Sequence, residues 1–178
     1  MNTPSTFKFR WRSLLGISVA LFLLYGALNV YLPIYVPYTL HTQGAWSVGG
    51  LVLTNEADLA MLGSFAETAQ RDVRVGAFLV SFMDTMCAFM MAFALLQVAL
   101  VWFALRAGQR WALFTVTLSD LAIIPYYVAI AQTYARFGVS GTDDFMRWLW
   151  TLTALILAAS VLGWLGLRRA QHTIALTP

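Results

Sequence analysis

Charge is what this sequence has least of. Asp, Glu, Lys and Arg make up 11% of the chain against 60% hydrophobic residues, where a soluble domain carries about 25% charged residues. An ordinary water-soluble domain is thereby excluded. The single cysteine, Cys87, excludes an internal disulfide and a C-x-x-C redox pair, and with them quinone-linked disulfide chemistry. Only two histidines occur, His41 and His172. The topology argued below puts them on opposite sides of a membrane, which speaks against a bis-histidine haem, an H-E-x-x-H zinc site or an intramembrane Ser–His pair. The phosphate loop G-x-x-x-x-G-K-[ST], the dinucleotide fingerprint G-x-G-x-x-G and the nucleophile elbow G-x-S-x-G are all missing. Neither an internal repeat nor the inverted repeat of many transporters is visible. No cofactor is expected, and the net charge of +3 forms no stripe suited to nucleic acid.

What is present is apolar sequence in long runs. A spanning helix needs about 20 mostly apolar residues, and four segments qualify: about 13–35, 82–105, 111–134 and 145–167. The first is expected to end at Pro33 and Pro37, because proline removes a backbone donor. The second sits in a longer apolar window, Val75 to Leu105, with Gly76 as a bend point. The expected fold is an all-α integral membrane protein, a single domain of four helices in a compact bundle.

The few charges are sorted by side. Lys8, Arg10, Arg12, Arg106, Arg110, Arg168 and Arg169 occupy both tails and the connection between spans two and three, with no acid among them. The opposite connections carry Arg71, Arg74, Arg136 and Arg147 together with Glu56, Asp58, Glu67, Asp72, Asp143 and Asp144. The positive-inside rule then places both termini in the cytoplasm, in keeping with an even number of spans. A bacterial cytoplasmic membrane is the expected location. The basic start and apolar run resemble a secretory leader. The run continues at spanning length to Val30 without an A-x-A-like site, so an uncleaved signal anchor is expected. Trp11, Trp111, Trp148 and Trp150 suit the membrane–water interface.

The connection 36–74 is long for a loop. Its second half reads as an amphipathic helix on the outer surface or capping the bundle. Asn55 serves as cap with Asp58 three residues on, and Leu59, Leu62, Ala66, Ala69 and Val73 recur at helical spacing. Its first half, "TLHTQGAWSVGGLVLT", suits a short hairpin or an interfacial loop.

Asp120 is the residue that most needs an explanation. It follows Arg110 by ten residues, about 15 Å at 1.5 Å per residue, which is near the middle of a hydrocarbon core about 30 Å thick. An aspartate there costs about 2.5–3.5 kcal/mol on insertion scales and marks a functional-site candidate by default. Gln97, nine residues before Arg106, reaches the same depth on the preceding helix, and a Gln97–Asp120 hydrogen bond is expected. Tyr127 lies on the same face two turns outward. Pro125 withholds a donor from the Leu121 carbonyl. Two roles stay open for this group: interhelical hydrogen bonding, or a proton or ligand site.

Three further features are weighed. Asp84 lies twenty-two residues before Arg106, about 33 Å along the helix, where water, Arg74 or Gln132 would meet it. Met83, Met86, Cys87 and Met90 share a face, and soft sulfur ligands suit Cu(I). Methionine is also common core filler, and no histidine is near, so packing is the expected role and no metal site is assigned. Ala159 and Gly163 have the small-xxx-small spacing that lets helix backbones approach, within the bundle or against another subunit; Gly166, Gly16 and Gly26 are available for the same purpose. Taken together, the sequence suggests a small non-catalytic accessory or interaction subunit whose partners are the lipid bilayer and other membrane protein subunits. The alternatives are a binding module for a lipid, quinone or pigment, and a proton-coupled carrier or intramembrane enzyme using Asp120 and Asp84.

Overall fold

A computed structural model of the chain describes residues 9–43, 55–62, 72–139 and 142–175. These residues are almost entirely helical and include no strand. The elements are α1 (Leu14–Gln43), α2 (Asn55–Leu62), α3 (Val73–Ala99), α4 (Arg110–Ala122), α5 (Ile124–Arg136) and α6 (Thr142–Ala175), with α3 prolonged by π-helical turns over Leu100–Leu105. Four helices are long and apolar enough to cross a membrane: Leu14–Thr42, Val73–Leu105, Arg110–Arg136 and Thr142–Arg169.

The first helix corrects an expectation. It runs straight through Pro33 and Pro37 to Gln43, where termination near Tyr35 was expected. Proline breaks helices in water by leaving backbone carbonyls that water readily takes. In an apolar span those groups are better kept inside a helix, and side-chain hydroxyls satisfy the backbone nearby. The prolines leave the carbonyls of Asn29 and Pro33 without their usual helical donor, and beyond them the helix continues with the Thr39 hydroxyl donating to the carbonyls of Tyr35 (3.0 Å) and Val36 (2.9 Å) and Thr42 to that of Tyr38.

The second span is one continuous helix from Val73, capped by Asp72, whose Oδ1 accepts from the Arg74 N–H at 2.9 Å. Gly76 is buried within it, and the stretch expected to span, 82–105, lies inside it. The third span is divided in two. Ile123 separates α4 from α5 while keeping helical dihedrals, and Pro125 falls in the first turn of α5, where its missing N–H is least felt. Two glycines with positive φ stop helices. Gly108 (φ 82°) and Gly138 (φ 71°) each close a Schellman turn: Gly108 and Gln109 donate to Leu105 and Ala104, and Gly138 and Val139 donate to Ala135 and Tyr134. The sequence-predicted basic turn around Arg106 and Arg110 is the first of these.

α1 packs along both α3 and α6; α4 packs on α6 and on the π-helical turns, and α5 on α6. The main core lies toward the basic end. It joins Leu15, Val19 and Phe22 of α1 with Val101 and Leu105, Ala112, Leu113 and Val116 of α4, and Ile156, Ala159 and Leu167 of α6. Small residues set the spacing. Gly166 faces the Leu15 backbone, Gly163 faces the Ser18 hydroxyl and Leu113, and Gly26 faces Val98. Ala159 is buried with them. The small-residue face of α6 is therefore turned inward, onto α1 and α4.

At the other end α2 docks on α5. Ala57 is buried with Tyr134 and Val139, and the Tyr134 hydroxyl donates to Asp58 Oδ1 at 2.9 Å. Asn55 is the first residue of α2 rather than a cap outside it. The inward positions, Ala57 and Asp58, differ from the expected stripe. A carboxylate turns inward here because a tyrosine hydroxyl is available to it. The remainder of that stripe, at Ala66 and Ala69, and the segment 44–54 lie outside the described residues, as do the side chains of Leu59 and Leu62.

Candidate functional site

The two polar residues matched by depth do meet. Gln97 on α3 is 3% exposed and Asp120 on α4 is 1% exposed. The Gln97 Nε2 donates to Asp120 Oδ2 at 3.0 Å. This bond lies just outward of the main core, where α3 reaches the third span through its last turns. The other oxygen of each group, Asp120 Oδ1 and Gln97 Oε1, is buried and has no partner among the described residues. An ionised carboxylate only accepts, and so does an amide oxygen. A proton carried on Oδ1 would convert one of these acceptors into a donor, so the chemistry available at this pair is the holding of a proton on a buried carboxyl whose other oxygen is already bonded. Asp120 takes part in neither of the ion pairs found at the end away from the basic turn, His41–Asp84 and Arg147–Asp144.

Tyr127 does not join the pair. It packs on Phe145 with ring centroids 5.5 Å apart, in an apolar cluster with Ala131 and Leu149. Ile123 keeps helical dihedrals and its carbonyl accepts from the Tyr127 N–H, so the cause is distance: seven residues on, Tyr127 lies about 10 Å along the axis from Asp120. The sequence reading missed Tyr25 of α1, which lies within electrostatic reach of both Asp120 and Tyr127. Asn29, one turn on, donates from its amide to the Tyr25 carbonyl at 3.1 Å. A signal for it existed. Tyr25 is eleven residues into α1, about 17 Å at 1.5 Å per residue, so it shares the depth of Asp120.

Asp84 has a different partner from those expected. His41 Nε2 lies 2.9 Å from Asp84 Oδ2, in place of Arg74 or Gln132. The cause is the continuation of α1 through its prolines, which carries His41 into a last helical turn beside α3. The sulfur residues follow one another at helical spacing on one side of α3 and differ in exposure. Cys87 is buried, Met83 and Met90 are half-buried, and Met86 is 51% exposed. A second polar contact joins α4 to α6, where the Thr117 and Ser160 hydroxyls are 2.7 Å apart. No protein-family model matches the chain, and no curated protein or solved structure shows significant similarity to it.

Proposed function

We propose that this four-helix membrane protein is a non-catalytic accessory or interaction subunit, working through its outer faces within a larger membrane complex. The observation that supports this is the outer face of α3. Phe82, Met86, Phe89, Phe93 and Leu96 follow one another at spacings of four and three residues in alternation, and all are exposed. That spacing is the one with which a helix offers knobs to a partner helix. The small residues of α6 are already used inside the bundle, so large side chains are what the exterior offers. Photo-crosslinking at Phe89 and Leu96 in native membranes tests the reading. The expected product is a discrete protein adduct, recovered with the same partner by mass spectrometry after mild solubilisation. Crosslinks to lipid alone at both positions would remove the support.

The proposed orientation has both termini in the cytoplasm of a bacterial cell, with the first helix as an uncleaved signal anchor and α2 on the outer surface. It rests on the distribution of charge: seven basic residues and no acid on one side, four arginines with six acids on the other. Reporter fusions at the C-terminus and in the 44–54 segment should give opposite location signals; identical signals overturn the orientation.

One observation favours a second reading. The third span touches α3 mainly through the π-helical turns, and the unpartnered Asp120 and Gln97 oxygens lie where that contact ends. A lipophilic ligand or a transferred proton would find its polar anchor there.

A further inference from the structure

The basic end of the bundle holds an arrangement that neither packing nor topology requires. The Arg106 guanidinium carbon lies 4.3 Å from the centroid of the Trp102 ring and 5.9 Å from that of Phe9. Arg168 and Arg110 approach a single indole, Trp164, at 4.9 and 5.6 Å. Trp11 lies against both Trp102 and Phe9, with centroids 6.4 and 4.9 Å apart, so the rings that hold Arg106 belong to one aromatic cluster. Among the described residues this end carries Arg10, Arg12, Arg106, Arg110, Arg168 and Arg169 and no acid. Arg106 and Arg168 have no carboxylate partner among the described residues.

A guanidinium seated on an indole face is held in position by cation–π attraction. Its N–H donors lie in its own plane, directed sideways, in a fork that matches phosphate oxygens. These arginines therefore give up little further freedom when an anion arrives, and the indoles sit at the depth where headgroup meets acyl chain. A free phosphate would use only the charge. A lipid uses the charge, the indole and the apolar flank together.

We propose that the basic end binds the phosphate of anionic phospholipid headgroups, with Arg106 and Arg168 as the principal donors and Trp102 and Trp164 as their supports. This goes beyond the interaction-subunit reading and holds whether or not that reading does.

The test uses the full chain purified in mild detergent, with native mass spectrometry and thermal melting as readouts. The probes are phosphatidylglycerol, phosphatidylcholine and inorganic phosphate, each added alone. Phosphatidylglycerol should be retained and should raise the melting temperature; the other two should do neither. Arg106→Gln and Arg168→Gln should each weaken retention about fivefold, from the worth of one basic residue near an anionic lipid. Arg147→Gln, at the opposite end, should leave retention unchanged. Circular dichroism and elution volume establish that each variant is folded, and Arg106→Lys, keeping the charge without the fork or the stacking, should fall between wild type and Arg106→Gln. Equal retention of the two lipids overturns the proposal, as does equal loss in Arg147→Gln. A melting shift from inorganic phosphate matching that from phosphatidylglycerol overturns the assignment to lipid.

Discussion

Gly166→Ala should separate α1 from α6 and lower stability by about 1–3 kcal/mol, the usual range for overpacking a close contact. A Cβ at this position would strike the Leu15 backbone nitrogen and come within 2.9 Å of the Leu15 Cα. A helix backbone cannot rotate away as a side chain can, so α1 itself must move. Leu15, Val19 and Phe22 would move with it, out of contact with Leu167 and Ile156. Gly163→Ala makes the informative comparison. Its Cβ would meet the Ser18 hydroxyl at 2.7 Å and Leu113 Cδ1 at 2.8 Å, both of them ends of movable side chains, so its effect should be the smaller one. Melting curves in one detergent, followed by circular dichroism, give the order. A Gly166→Ala variant as stable as wild type would mean that the α1–α6 contact is looser than drawn here.

How much of this was legible beforehand depended on whether one residue's neighbourhood could be reached by counting along one helix. The Gln97–Asp120 bond was within reach because both residues can be measured inward from the same basic turn, at Arg106 and Arg110, at a fixed rise per residue. The four spans were legible for a similar reason, since length and apolarity are properties of one segment. Tyr127 shares a face with Asp120 by counting, but about 10 Å of helix separates them, and Phe145 and Leu149, which hold Tyr127, belong to another helix that such a count does not reach. His41 was misplaced because proline was read as it behaves in water. Once α1 continues to Gln43, the His41–Asp84 contact follows. The pairing of Tyr134 with Asp58 across 76 positions had no counterpart in any local pattern. A buried carboxylate in a surface helix makes sense only when the hydroxyl that bonds it is known. The small residues of α6 show the same division: their spacing was legible, but whether it served α1 or another subunit was decided by the packing of Gly163 and Gly166.

Asp120→Asn and Asp120→Leu should part company, and the size of the gap identifies what the carboxyl does. Asparagine keeps the shape and adds a donor. Its oxygen can accept from Gln97 Nε2, as Asp120 Oδ2 does now at 3.0 Å, and its amide supplies a donor, which the carboxylate lacks. If Asp120 serves as a neutral hydrogen-bonding acid between α3 and α4, asparagine reproduces that state and stability should hardly change. Leucine removes the bond, typically about 0.6 and up to about 1.7 kcal/mol between membrane helices. It also strands the Gln97 amide in the interior, for which about 1–3 kcal/mol more is expected. Removing both partners in Asp120→Leu/Gln97→Leu should recover much of that second loss, because no polar group is then left buried alone, and the double-mutant cycle reads the coupling directly. A protonic role predicts another pattern. Asparagine cannot release a proton, so Asp120→Asn would fold and assemble normally yet lose activity as fully as Asp120→Leu. Assembly and activity of the two variants, measured side by side with melting of all four proteins in the cycle, decide between these. A folded, assembled and inactive Asp120→Asn protein would remove the structural account and make the Asp120–Gln97 pair a site of proton transfer.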